Sequence, residues 1–200
     1  MNRALDFCQK SVKIDSYYAE VFELIGLINV RLNQVDNARK NFARAFMINP
    51  NLVEPINDLT RLNIQAGQPG ETLKVLEVAL NKYDDNLVLL EQVARRYIDM
   101  GRYQAAQDIG SKMLVIDPKA AQGYVIRGLA ELRLKKLVQA NEDLQQALMI
   151  DPKNISSYSA LGEYYLATGD HARAREAYLQ VLQLDPNNSV AKAMLGRLGK

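Results

Sequence analysis

The chain has 200 residues, 48% of them hydrophobic and 24% charged, which is enough apolar material for one or two cores or for one elongated array. Lys and Arg total 25 against 23 Asp and Glu, so the net charge of +2 carries no electrostatic footprint for nucleic acid. The lone Cys8 excludes an internal disulfide framework, no apolar run is long enough to span a bilayer, and the opening MNRALDFCQKSVKID lacks the apolar centre of a secretory signal.

Residues 1–18, which contain RALDFCQKSVKID, predict one helix. The stretch from 19 to 188 then repeats itself. Asn49-Pro50, Asp117-Pro118, Asp151-Pro152 and Asp185-Pro186 place prolines 68, 34 and 34 residues apart, and the missing one falls at Asp84 in KYDDN, where the register holds. Five helix–turn–helix units follow, 19–52, 53–86, 87–120, 121–154 and 155–188, most of them ended by a proline that cannot continue a helix. Residues 189–200, SVAKAMLGRLGK, begin one more helix, placed to cap the apolar face of the fifth unit.

Position 4 of each unit is large: Phe22, Ile56, Leu90, Tyr124 and Tyr158. Position 8 is small (Gly26, Thr60, Ala94, Gly128, Gly162), and so is position 20 (Ala38, Thr72, Ala106, Ala140, Ala174), which lets two helices approach closely. Position 24 is mostly large (Phe42, Leu76, Gly110, Leu144, Tyr178) and fills the gap between units. Over 19–188 this pattern resembles the tetratricopeptide repeat family, the first and fifth units most closely. The resemblance implies an all-α, right-handed superhelical solenoid of antiparallel helix pairs. Its structural positions here are Gly26, Ala38, Gly128, Ala140, Gly162, Ala174 and Tyr178. In the same register residues 1–18 are the second helix of an incomplete repeat, with Ala4 at position 20 and Cys8 at position 24. A start half-way through a unit points to a piece of a longer protein.

Some residues depart from the pattern. Thr60, Asn63, Thr72 and Asp84 make the second unit the weakest match, while Pro55 and Pro69 fall in first turns of helices, where proline is tolerated. Gly110 stands where a large side chain is expected, and glycine within a helix costs about 0.5–1 kcal/mol. Two readings stay open: drift buffered by neighbouring units, or a soft joint near 60–113. Arg127 and Glu131 occupy positions 7 and 11 of the fourth unit, usually apolar or aromatic in the family. The resemblance implies a structural pair between Arg127 and Asp143 at position 23.

Catalysis finds few convergent groups. His171 is the only histidine and lies five units from Cys8. It follows Asp170, well placed as a helix N-cap, in a slot filled elsewhere by Val35, Pro69, Tyr103 and Leu137. Metal-ligand spacing and a phosphate-cradling glycine loop are both lacking, so the expectation is a non-enzyme without cofactor or metal.

The resemblance moves function to a concave groove lined by the first helix of each pair. Positions 2, 5, 9 and 13 supply the groove candidates Glu23, Leu27, Arg31, Asn57, Arg61, Glu91, Arg95, Val125, Leu129 and Arg133. Arg31, Arg61 and Arg95 read either as a ladder for an acidic segment or as partners of inner carboxylates such as Glu54 and Glu91. The chaperone-tail clamp of one subclass is not reproduced, since Glu23 and Leu27 stand where it needs Lys and Asn. The expected function is a protein–protein interaction scaffold or adaptor holding a peptide or helical segment of a partner within a larger assembly. The alternative is a regulatory or substrate-recruiting region of a longer enzyme such as a transferase. Nucleic acid and direct membrane insertion are not expected, self-association through an exposed terminal repeat face (Leu5, Phe7, Val12) is, and the compartment expected is the cytoplasm.

Overall fold

The computed structural model describes residues 6–8, 10–11 and 18–199. Ala4, Leu5 and Val12 lie outside the described residues, and 6–8 and 10–11 are helical. From Ala19 onward the chain runs through α1 (Ala19–Arg31), α2 (Val35–Ile48), α3 (Val53–Gln65), α4 (Gly70–Leu80) and α5 (Leu87–Asp99). It continues through α6 (Tyr103–Ile116), α7 (Ala121–Arg133), α8 (Leu137–Ile150), α9 (Ile155–Thr168), α10 (His171–Leu184) and α11 (Ser189–Leu198). No strand occurs among the described residues. Two compact units result, an N-terminal one ending at Leu89 and a C-terminal one beginning at Leu90, with the division inside α5.

In the N-terminal unit α1 packs on α2, α2 on α3 and α3 on α4. Phe42 and Phe46 are fully buried, and the Phe42 ring lies on Gly26, where a Cβ would stand only 2.5 Å from the ring. Glycine at residue 26 is thus a steric requirement of the Phe42 ring, and Ala38 is the buried small residue of the facing helix. Cys8 packs beside the cluster of Phe22, Ile25 and Ala45, which accounts for its apolar sequence context. Helix α4 spans 11 residues against 14 for α2. Pro69 sits at its N-cap rather than in its first turn, because the helix begins one residue later, at Gly70.

In the C-terminal unit α6 packs on α7, α7 on α8, α8 and α7 on α9, α9 on α10, and α10 on α11. Leu144 lies on Gly128 with Ala140 alongside, and Tyr178 lies on Gly162, repeating the fit of Phe42 on Gly26. Ala174 is fully buried, and α11 packs Ala191, Met194 and Leu195 beside Tyr178 and Val181. Side-chain oxygens of Asn154, Asp170 and Asn188 accept the N–H three residues on and start α9, α10 and α11. His171 is the exposed first residue of α10, beside that capping aspartate.

Gly110 overturns one expectation. It leaves no gap between units: a Cβ there would stand 2.9 Å from the backbone nitrogen of Arg127, so α6 and α7 meet backbone to backbone at this point. The turn inside each repeat is also more regular than its residues suggest. Gly67, Gly101 and Gly169 have φ of 70°, 73° and 82°, and Asn33 and Lys135 occupy the same slot with φ of 57° and 64°. Position 15 is left-handed in all five repeats, and in two of them a side chain is carried there against its preference.

Candidate ligand-binding wall

Within the C-terminal unit, the first helices of successive repeats build a wall with two adjoining cavities of about 250 and 270 Å³. Both are lined by Arg95, Leu129 and Glu163, each at position 9 of its repeat. The first cavity adds Arg96, Asp99, Ile126 and Arg133, and the second adds Ser156, Ser159, Asn188 and Val190. The wall therefore combines an apolar floor at Leu129 with guanidinium, carboxylate and hydroxyl groups at its edges.

Ion pairs organise those charges. Arg133 Nη2 donates to Glu163 Oε2 at 2.6 Å, joining α7 to α9. Arg95 Nε donates to Glu91 Oε1 at 2.9 Å, and Arg96 pairs with Asp99 at 3.0 Å. For Arg95 the pairing with an inner carboxylate is thus the arrangement present. Val125 is only 1% exposed and packs with Leu144, Ala147, Ala160 and Leu161, and it lines the floor of the second cavity. The packing of α9 against α7 leaves Val125 less accessible than Leu129. The four-position pattern misses Arg96, Ile126 and Asn188: Arg96 and the buried Ile126 lie beside that stripe, and the N-cap of α11 reaches the edge of the wall.

Tyr178 backs this wall. Its ring fills the notch at Gly162 and its buried hydroxyl has no hydrogen-bond partner among the described residues. Burial pushes the phenol up to about 12, with the Glu163 carboxylate adding to the rise and Arg133 opposing it.

In the N-terminal unit the candidates divide between α1 and α3. Glu23 is half-buried, whereas Leu27, Arg31, Asn57 and Arg61 are exposed. Arg61 Nη2 pairs with Asp58 at 2.6 Å, not with Glu54. Burial raises the Glu23 carboxyl above its ordinary value, and Glu54, Asp58 and Glu20 raise it further, so this face is acidic.

Residues that depart from the repeat pattern form two polar hubs. Arg39 Nε donates to Asn63 Oδ1 and Arg39 Nη2 to Gln68 Oε1, both at 2.5 Å, while Asn63 Nδ2 donates to Thr72 Oγ1 at 3.0 Å. Thr60 donates to the Ile56 carbonyl at 2.6 Å. In the C-terminal unit Gln107 Nε2 donates to Glu131 Oε1 at 2.9 Å, and Lys136 Nζ donates to Gln107 Oε1 at 2.8 Å. Beside them Arg127 grips Asp143 through two bonds of 2.6 and 2.8 Å, the pair that the resemblance implies, and that bond raises the guanidinium above its ordinary value.

Models of the family described as tetratricopeptide repeat match residues 19–52 and 131–198. The chain is a tetratricopeptide repeat protein. Its fold matches the crystal structure of a thermophilic tetratricopeptide repeat protein of Thermus thermophilus with a TM-score of 0.68 at 21% identity, covering 90% of this chain and 98% of that one. It is also similar to the first such domain of human RPAP3, with a TM-score of 0.52 at 28% identity over 56% of this chain and 89% of that one. A structure of the first repeat domain of Spaghetti (RPAP3) bound to the HSP90 peptide SRMEEVD matches with a TM-score of 0.50 at 28% identity, over 56% and 90% of the two chains. No curated protein matches the chain. A tetratricopeptide repeat array is a protein-interaction scaffold, and the all-α helix pairs of this protein have that architecture.

Proposed function

We propose that the protein is a non-catalytic adaptor that binds an extended or helical segment of a partner along the first-helix wall of its C-terminal unit. The observation that carries this reading is the sharing of Leu129 by two adjoining cavities. A half-buried apolar floor continuous across both is bordered by groups able to fix a peptide backbone and its side chains. The charged groups on the wall are arginines and carboxylates held in ion pairs, an arrangement suited to recognition. The peptide held by the RPAP3 repeat domain supports the same use of the scaffold here.

Selection from a random peptide library tests the reading. Peptides that bind the intact chain should lose about tenfold or more in affinity on Leu129→Asp, the loss expected for a central anchor, and should bind Val138→Asp, on the exposed face of α8, as they bind the parent. Selected peptides that ignore Leu129→Asp and lose binding on Val138→Asp would move the site to the other face.

A further inference from the structure

The second helices of the N-terminal unit carry a groove that the first-helix wall does not use. Helices α2 and α4 meet there, and Ala43 is too short to fill the space between them. Two adjoining cavities of about 540 and 400 Å³ result, both bordered by Ala43, Glu71 and Val75. The larger reaches in to Leu59, and the smaller is floored by Met47 and Val78. Val78 is 55% exposed, so nothing in the chain covers this floor. Along α2 the lining runs from Asp36 to Met47, about 16 Å of helix.

The rim of the groove is basic even after its internal pairs are counted. Arg39 is bonded to Asn63 and Gln68 and faces Asp36 at 3.7 Å, and Lys74 pairs with Glu71 at 2.6 Å. Lys40 remains, exposed and without an ion pair among the described residues. Arg44 also remains, stacked on the Phe22 ring at 4.4 Å with no carboxylate beside it. The surface complementary to this groove is a helix with an apolar stripe, an unpaired acid and no cation.

The chain contains one such surface. Of α1 to α11, only α8 and α9 have carboxylates and neither Lys nor Arg. Glu163 of α9 is held by Arg133, and Asp143 of α8 by Arg127. Glu142 of α8 is exposed and makes no ion pair among the described residues. It shares one face of α8 with Val138, Gln145 and Met149, at spacings of four, seven and eleven residues from Val138. Val138 is 68% exposed and Met149 77%, on a helix whose opposite face buries Leu144 and Ala147 completely. Val138 and Met149 lie as far apart along α8 as Asp36 and Met47 along α2. Laid along the groove, α8 brings Glu142 opposite Lys40 in one direction and beside Arg44 in the other.

We propose that the α2–α4 groove of one molecule receives α8 of a second copy of this chain. Burial of Val78, Val138 and Met149 drives the contact, and Glu142 against Lys40 and Arg44 fixes which helix enters. The interface is heterologous, since the two molecules contribute different surfaces. It differs from association through the terminal repeat face at Phe7, and it leaves the wall at Leu129 out of the contact.

Sedimentation velocity of the full chain at low salt, from about 1 μM to 1 mM, tests this by charge exchange. The average mass of the parent should rise above that of one chain with concentration. Lys40→Glu and Glu142→Lys, both at exposed positions, should each weaken self-association about tenfold or more without lowering the melting temperature. An equimolar mixture of the two variants should associate again, because each then meets the charge it lacks in the other, and so should the double variant Lys40→Glu/Glu142→Lys. Met149→Asp and Val78→Asp should each abolish association by placing a charge in the apolar part of the contact. A parent that stays a single chain throughout the range overturns the proposal. So does association that survives both charge reversals, or a mixture of the two variants that fails to associate. Association lost on Phe7→Asp but kept in Glu142→Lys would place the contact on the terminal repeat face instead.

Discussion

The hub around Arg39 and the hub around Gln107 share one geometry and differ in chemistry. In each, position 21 of a second helix bonds to positions 11 and 16 of the following repeat, at sequence separations of 24 and 29. In the N-terminal unit the charge sits on the half-exposed Arg39, and the buried partner is neutral. Asn63, 1% exposed, uses its oxygen toward Arg39 and its amide toward Thr72. In the C-terminal unit the order is reversed: Gln107 is neutral and the buried partner, Glu131 at 4% exposure, is a carboxylic acid. One oxygen of Glu131 is bonded and the other is not. Burial raises its carboxyl, Asp143 raises it further, and Gln107, Arg127 and Lys136 oppose the rise. A neutral amide at position 11 can be satisfied completely, whereas a carboxylate there is left short of donors. The same staple holds a buried titratable acid in one unit and a buried neutral amide in the other.

The largest effect expected from breaking this comparison is at Asn63. Asn63→Leu strands the Arg39 Nε–H and the Thr72 hydroxyl and should cost about 2–3 kcal/mol in urea denaturation, equally at pH 5 and pH 7.5. Glu131→Gln should act oppositely and with a pH profile. Because the folded state raises this carboxyl, its contribution is fully present below the unfolded value and is lost as pH rises through the folded one. The variant should therefore melt about 2–4 °C higher than the parent at neutral pH, with the difference vanishing near pH 4. A constant difference across that range would show that Glu131 does not titrate differently on folding. The smallest expected effect separates the two turns with a side chain at positive φ. Lys135→Gly should stabilise by about 0.5–1 kcal/mol in the same denaturation assay, and Asn33→Gly by less, since asparagine tolerates this backbone better than lysine.

These hubs also show where reading along the chain succeeds and where it stops. The 34-residue spacing of Pro118, Pro152 and Pro186 and the Gly26–Phe42 and Gly162–Tyr178 fits are local to one repeat, and so were legible from residue size alone. Gly67, Gly101 and Gly169 likewise announce a turn, but Asn33 and Lys135 do not, because only the backbone shows that they share its geometry. Asn63 and Glu131 looked like departures because their partners, Arg39 and Gln107, stand in the preceding repeat, and comparison within a single column of the register hides a pairing between columns. Among the site residues, Leu129, Arg133 and Val125 line the wall as position predicts, while the depth to which α9 buries Val125 is a tertiary fact absent from any one helix. Tyr178 was legible as a packing residue. The state of its hydroxyl is set first by burial and then by Glu163 and Arg133, which come from two different repeats.

The spacing of the hubs bears on how such a chain can be cut and recombined. Splicing at Pro50, the boundary drawn by the proline period, would divide Arg39 from Asn63 and Gln68 and place them in different parents. Splicing at the left-handed turn, at Asn33 or Lys135, leaves each second helix joined to the first helix that follows it. For making chimaeras, the interchangeable cassette is therefore the staggered pair α2–α3 or α6–α7, offset by half a period from the repeat that the prolines mark.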